Sequence, residues 1–132
     1  MNEFRYGPIR FVLDYSQPLY EQVLEQFRNS IARGEIALGE KIPSVRELAQ
    51  ALKINPNTVL RAYQELERDG LTETRRGQGT FITNNANRVA EVRQMLAEQA
   101  TTDFLNKMKS LGLTKDEILR LLHEKEDDGL DS

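Results

Sequence analysis

The sequence predicts a mainly α-helical protein with a small β-hairpin. Apolar residues recur at three- and four-residue spacing through most of the 132 residues, which is the period of an amphipathic helix. The period changes to two in residues 71–83, where β-branched residues and two glycines predict two short strands and a tight turn. Helices therefore carry the fold, and one hairpin follows the third of them.

The first two helices have recognisable ends. Pro18 suits a first-turn position, because its missing N–H would have no intrahelical partner there, and Gly34 marks the end of the first helix. Ser44 and Glu47 then match a capping box, which predicts the start of a short second helix. An apolar i, i+3, i+4, i+7 pattern buries one face of this helix.

A third helix follows the second almost at once. Asn55 is a good N-cap, Pro56 suits the first helical position, and Gly70 supplies the left-handed residue that ends the helix. Two closely joined helices, followed by a hairpin with a basic tip, are the parts of a winged helix-turn-helix. The polar side chains that the third helix leaves facing outward are Asn57, Thr58, Arg61, Gln64 and Arg68.

A winged helix-turn-helix docks on duplex DNA in a known way. The third helix enters the major groove and the second lies across the backbone, while the hairpin reaches phosphates or the minor groove. We therefore predict that Arg46, at the start of the second helix, anchors a phosphate, and that Arg75 with Arg76 forms the electrostatic contact of the hairpin. These contacts set the position of the protein along the DNA and the salt dependence of its binding.

Bases are then read by the outward face of the third helix. Asn57 and Gln64 carry amides that fit adenine N6 and N7, and Arg61 fits guanine O6 and N7. Thr58 can serve a phosphate or a thymine methyl. Taken singly, each residue is more often part of a solvated helix face, and only their joint order and spacing indicates DNA reading.

The net charge of −3 conceals an uneven distribution. Residues 41–83 hold seven Lys and Arg against five Asp and Glu, whereas acidic residues are in excess before and after them. We expect an anionic partner to meet this middle part. The excess is small, and alone it is more typical of ordinary solvated surface.

The segment IPSVRELAQALKINPNTVLRAYQELERDGLTETRRGQGTFI resembles the DNA-binding domain of GntR-family bacterial transcription regulators. The resemblance covers about residues 17–83 and includes the P-S-x-R-x-L-A and R-x-G-x-G-T-F patterns. It implies that Arg46 is a backbone anchor, that Asn57 and Thr58 lie at the tip of the recognition helix, and that the hairpin approaches DNA closely at Gly79. The predicted DNA-binding residues are Arg46, Asn57, Thr58, Arg61, Gln64, Arg75, Arg76, Gln78 and Gly79.

The chain departs from many GntR relatives at two places. They carry serine-arginine where it has Asn55-Pro56, and arginine where it has Leu60. The base-reading code of those relatives is therefore not transferred, and the role of Arg61 rests on helical geometry.

The second half is too short for the metabolite-binding domain of larger GntR regulators and resembles the small YtrA-type branch. A long helix ending near Gly112 and a final helix, opened by a capping box at Thr114 and Glu117, cannot bury their own apolar residues well. We expect a symmetric dimer to cover them, although the helices could instead fold back on the winged domain. The predicted interface residues are Val92, Leu96, Phe104, Met108, Leu119 and Leu122.

Composition excludes several other functions. The chain has no cysteine and one histidine, which excludes disulfides and thiolate metal sites. His123 stands on a charged helix. The nearby Glu124, Glu126 and Asp127 are candidate ligands of a divalent ion, but Lys125 and the expected mobility of the tail argue against such a site. Without a nucleophile, phosphate loop or paired acid, we expect neither an enzyme nor a cofactor. The absence of a signal peptide or membrane span predicts a soluble cytoplasmic protein.

The predicted organisation is an N-terminal arm (1–16), the winged domain (17–84, with the helix-turn-helix at 44–69 and the wing at 71–83), a two-helix dimerisation or regulatory region (85–126) and a flexible acidic tail (127–132). The predicted function is a homodimeric transcription regulator, a repressor that binds a palindromic operator and controls its own operon with transporter genes. An unidentified small effector is a further candidate partner. The alternative is a winged domain that binds protein through its acidic C-terminal helices.

Overall fold

The computed structural model describes residues 2–7 and 9–126, which form two compact units, Met1–Arg93 and Gln94–Ser132. The predicted acidic tail, 127–132, lies outside the described residues. The first unit contains β1 (Asn2–Tyr6), β2 (Ile9–Leu13), α1 (Leu19–Ala32), β3 (Lys41–Ile42), α2 (Val45–Leu52), α3 (Pro56–Arg68), β4 (Thr72–Arg75) and β5 (Gly79–Ile82). Helix α4 (Ala86–Ser110) begins there and continues into the second unit, which also holds α5 (Lys115–Lys125).

The core of the first unit lies among α1, α2 and α3. Phe27 of α1 is fully buried and contacts the rings of Phe11 and Tyr63 edge-on, at centroid distances of 5.4 and 5.5 Å. Such edge-to-face pairs add about 0.5–1.5 kcal/mol each beyond the burial of their area. Most residues of the apolar stripes of the three helices are buried, and the stripe of α3 is buried throughout, so α3 is held by its inner face.

The predicted N-terminal arm is a β-hairpin over its described part. Strands β1 and β2 pair antiparallel, with Phe4 opposite Phe11. Ile9, Phe11 and Leu13 alternate along β2 and are buried. The side-chain amide of Gln26 donates to the carbonyl of Val12 (2.7 Å) and accepts from its N–H (2.8 Å), which joins the hairpin to α1. Ile9, Phe11 and Leu13 therefore belong to the core.

The helix-turn-helix has the predicted caps. The N–H of Glu47 donates to Ser44 Oγ and the N–H of Ser44 donates to Glu47 Oε1, both at 3.1 Å. Asn55 caps α3 by accepting from the N–H of Asn57 at 2.8 Å, with Pro56 at the first helical position. Between the helices Lys53 adopts a left-handed conformation (φ 58°, ψ 48°), a conformation that glycine more often supplies.

The wing is the predicted hairpin with one added strand. Strands β4 and β5 pair antiparallel, and β3 pairs with the free edge of β5, giving the order β3-β5-β4. The tip is a tight turn in which the N–H of Gln78 donates to the carbonyl of Arg75 at 2.9 Å, and Gly77 takes a positive φ of 77°. The short segment before α2 thus becomes the third strand of the wing sheet.

In the second unit, α4 ends at Ser110, Gly112 follows with φ 82°, and α5 begins with the predicted capping box of Thr114 and Glu117. Ile118 is buried, whereas large apolar side chains of both helices are exposed, among them Phe104, Leu119 and Leu122. No helix in the described part of the chain is long and apolar enough to cross a membrane.

Candidate nucleic-acid interface

Helix α3 presents a polar face to solvent. Asn57, Arg61 and Gln64 are exposed, and Thr58 is half-buried at the first turn. The opposite face is buried through Val59, Ala62, Tyr63 and Leu66. The Tyr63 hydroxyl also donates to the carbonyl of Pro43 at 2.6 Å, just before α2. The helix is therefore anchored on one side and free on the other, as an element that enters a groove must be.

The side chain of Arg61 does not extend freely into solvent. Its guanidinium carbon lies 3.9 Å from the centroid of the Tyr20 ring, on the first turn of α1. An arginine over an aromatic face at this distance is held by a cation–π interaction, and its N–H groups remain donors for a further acceptor. Tyr20 was not selected from the sequence, and only its proximity to α3 in the fold reveals it.

Arg46 occupies the second position of α2 and is exposed, on the same face as Gln50 and Lys53. The structure shows no ion pair of Arg46 within residues 2–7 and 9–126. Its charge is therefore available to a phosphate.

The two arginines of the wing are in different surroundings. Arg75 is half-buried, its guanidinium carbon lies 4.2 Å from the centroid of the Phe81 ring, and its Nη2 pairs with Glu73 at 2.8 Å. Arg76 and Gln78 are exposed at the tip. The charge of Arg75 is partly compensated, so Arg76 is the more available cation of the wing.

Gly79 is required by its backbone conformation. Its φ of 122° is one that residues with a side chain rarely adopt, whereas the nearest atom to an added Cβ, the Cε of Lys41 at 2.7 Å, is the end of a flexible side chain that can move. Lys41 belongs to β3 and pairs with Phe81 of β5, and its side chain reaches Gly79, next to the tip of the wing. Lys41 is one of the seven basic residues of the segment 41–83, but the sequence offers no reason to select it as a site residue, because the pairing of β3 with β5 is a tertiary contact.

The C-terminal end of α3 is tied to two other helices. Asp69 accepts two hydrogen bonds from Arg28 of α1, at 2.8 Å from Nε and 3.1 Å from Nη2. Its carbonyl accepts a third from Nε of Arg88, on the first turn of α4, at 2.7 Å. These contacts hold the recognition helix, α1 and the start of α4 in one arrangement.

The structure combines a capped polar helix, a preceding helix joined to it by a short left-handed turn, and a basic antiparallel wing. This combination defines a winged helix-turn-helix protein, a class that binds duplex DNA. The chain matches the profile of bacterial regulatory proteins, gntR family, over residues 19–82. It is 48% identical over 104 residues to the HTH-type transcriptional regulator YhcF of Bacillus subtilis (strain 168), covering 79% of this chain and 86% of that protein.

It is also 52% identical over 71 residues to the HTH-type transcriptional repressor YtrA of the same organism, covering 54% of this chain and 55% of the repressor. A solved GntR family transcriptional regulator from Listeria monocytogenes superposes with a TM-score of 0.76 at 36% identity, covering 85% of this chain and 98% of that one. The chain belongs to the gntR family and is a DNA-binding transcription regulator. The family and the YtrA-like branch predicted from the sequence are confirmed.

Proposed function

We propose that the chain is a homodimeric repressor, each subunit of which places α3 in a major groove of a two-fold-related operator. The observation that carries this proposal is the exposed polar face of α3, whose opposite face is buried in the core. The relative YtrA is named a transcriptional repressor, which favours repression. Control of its own operon with transporter genes, and a cytoplasmic location, are parts of the same proposal.

Asn57 and Gln64 are proposed to read bases directly. They are seven residues apart on one face of α3. At 1.5 Å per residue this separates them by about 10 Å along the helix axis. That length spans about three base pairs, so they address different bases. Their amides suit adenine and the guanidinium of Arg61 suits guanine, while Thr58 serves a phosphate or a thymine methyl.

Cations around α3 are proposed to hold the phosphate backbone. Arg46 contributes from α2, and Arg76 contributes from the tip of the wing beside Gln78. Arg75 is proposed as a weaker contact, because Glu73 pairs with it. Lys41 adds a cation close to Gly79, next to the tip of the wing. This arrangement supplies attraction from elements other than the reading face.

The second unit is proposed to form the dimer interface. Phe104, Leu119 and Leu122 are 38%, 43% and 39% exposed, and large exposed apolar patches mark interaction sites. Leu96 and Met108 are half-buried and can contribute at the edge. Val92 is only 5% exposed and has little surface left to bury against a partner. A symmetric dimer has two copies of α3, one for each half of a two-fold-related operator.

Selection from randomised duplex DNA, followed by footprinting, tests the proposal. We expect two related half-sites, with centres about 10 base pairs or a multiple of that distance apart. Protection should also occur upstream of the protein's own gene. A single unsymmetrical site, or no enriched sequence, would contradict the proposed dimeric repressor.

Salt dependence separates this function from the alternative, a winged domain that binds protein. DNA binding releases counterions, so the logarithm of the affinity falls linearly with that of the salt concentration. Arg46→Ala should weaken binding to all sequences and reduce the salt slope by about 1. Gln64→Ala should instead relax the preference at particular base pairs by about 1–3 kcal/mol. A flat salt dependence would favour the alternative.

A further inference from the structure

Tyr20 lies where a side chain from α1 can control a base-reading residue of α3. It is half-buried on the first turn of α1, and the guanidinium carbon of Arg61 lies 3.9 Å from its ring centroid. We propose that Tyr20 is a positioning residue for sequence reading, which holds Arg61 in one orientation before DNA arrives. This inference rests on the proposed function, in which Arg61 reads a base.

The need for such a support follows from the chemistry of arginine. A free arginine samples many rotamers, and ordering it on binding lowers the affinity. Stacking on an aromatic ring fixes the plane of the guanidinium but occupies only its face. The N–H donors at its edge remain available for the two acceptors of guanine, O6 and N7.

Arg61 also keeps its charge uncompensated. The carboxylate one helical turn further along α3 is Glu65, which pairs with Arg68. The structure shows no ion pair of Arg61 within residues 2–7 and 9–126. The stacked Arg75 of the wing is different, because Glu73 pairs with it at 2.8 Å. An aromatic stack without a carboxylate orients a cation and leaves it free for an external acceptor.

The test uses the full chain and two DNA probes, a duplex enriched by the wild-type protein from a randomised library and a scrambled duplex of equal length. The variants are Tyr20→Phe, Tyr20→Leu, Arg61→Ala and the double variant Tyr20→Leu/Arg61→Ala. Tyr20→Phe keeps the aromatic face and should bind as the wild type does. Tyr20→Leu should lose about three- to tenfold in affinity for the enriched duplex, with little change on the scrambled one.

Two readouts separate positioning from a merely structural role. Tyr20→Leu and Arg61→Ala should lose preference at the same base pair of the enriched duplex. In the Arg61→Ala background, Tyr20→Leu should cause no further loss, because the group that it positions is gone. Retained binding to the scrambled duplex shows that the variants are folded, and Tyr20→Phe controls for the hydroxyl.

Three results would overturn the inference while leaving the proposed function intact. The first is that Tyr20→Leu binds the enriched duplex with wild-type affinity. The second is that Tyr20→Phe loses as much affinity as Tyr20→Leu, which would indicate direct contact by the hydroxyl. The third is that Tyr20→Leu lowers the affinity just as much in the Arg61→Ala background. Failure of the wild-type protein to enrich any duplex would instead refute the proposed function, and this inference with it.

Discussion

The two units of the chain differ in how they bury their apolar residues. In the first unit the three helices, the N-terminal hairpin and the wing surround a continuous core that includes Phe11, Phe27 and Leu66. In the described part of the second unit Ile118 is the single buried apolar residue, and the large apolar side chains along α4 and α5 are exposed. A structure with its own core is stable alone, whereas exposed apolar helices gain stability from association.

This difference in burial matches a division of tasks between the two units. In the proposed function the first unit, which has its own core, presents side chains to DNA, and the second unit, whose apolar side chains are largely exposed, joins subunits. Tyrosine provides a way to follow the units separately, since all four tyrosines, Tyr6, Tyr15, Tyr20 and Tyr63, lie in the first unit and the chain has no tryptophan. Tyrosine fluorescence therefore reports on the first unit.

The largest expected effect comes from removing the centre of the first core. Phe27→Ala deletes a fully buried ring that contacts Phe11 and Tyr63. We expect it to lower the free energy of unfolding by about 3–5 kcal/mol, measured by urea titration with tyrosine fluorescence. Phe104→Ala, in the second unit, is the matched control and should leave this transition almost unchanged. Similar losses for both variants would show that the two units do not differ in this way.

Charge placed on the exposed apolar helices should separate subunits without unfolding the first unit. Phe104→Glu with Leu119→Glu is expected to raise the dimer dissociation constant about a hundredfold, as losses at central interface residues do. Sedimentation velocity measures the change, and the tyrosine transition should stay in place. Leu38→Glu, at an exposed leucine of the first unit, is the control. A dimer that persists in the double variant would exclude this interface.

Asp69 tests how firmly the first unit holds the end of α3 and the start of α4. Its pair with Arg28 is bidentate, and the two side chains are only 20% and 23% exposed. Asp69→Ala should lower stability by about 1.5–3 kcal/mol, because the hydrogen bonds are to a charged group shielded from water. Thermal unfolding followed by circular dichroism measures this loss.

The control for Asp69 is a pair of the same geometry at the surface. Glu3 and Arg10 also form two hydrogen bonds, at 2.7 and 3.1 Å, but their side chains are 55% and 56% exposed. Glu3→Ala should therefore change stability much less than Asp69→Ala does, because solvent screens an exposed ion pair. Equal effects of the two substitutions would show that burial does not strengthen the Asp69 pair.

The smallest effect concerns the start of α5 in acid. The backbone N–H of Thr114 donates to the carboxylate of Glu117, and this bond, followed by that with the Thr114 hydroxyl, lowers the pKa of Glu117. A lowered folded pKa stabilises the cap above the unfolded value, and this contribution is lost as the pH falls through the folded pKa. The amide shift of Thr114 in NMR should follow that titration.

Glu117→Gln is the control for this titration. A glutamine side chain still caps the helix but does not titrate, so the Thr114 shift should become independent of pH. A shift that still titrates in this variant would assign the effect to another carboxylate.

Local chemistry explains which parts of the fold could be predicted. The caps of α2, α3 and α5 depend on residues within three positions of one another, and all three are present as predicted. The N-terminal hairpin could not be recognised in the same way. The three buried residues of β2 depend on α1 for their cover, and the amide of Gln26 satisfies a strand backbone fourteen residues earlier.

The same distinction applies to the candidate interface, where some features follow from the local sequence and others from tertiary contacts. The exposure of Asn57 and Gln64 follows from helical periodicity, and the structure agrees with it. The setting of Arg61 depends on Tyr20, and the side chain that approaches Gly79 is that of Lys41, both of which come from other elements. Sequence spacing carries no information about such pairs until the helices and strands are packed.

By itself the sequence determined the helices, their caps, the wing and the membership of the gntR family, because periodicity, capping and motif spacing are properties of neighbouring residues. The tertiary structure alone decided that Ile9, Phe11 and Leu13 join the core, that Arg61 stacks on Tyr20, and that Asp69 ties three helices together. Each of these is a contact between residues far apart in the chain, and its energy exists only after the core has brought them together.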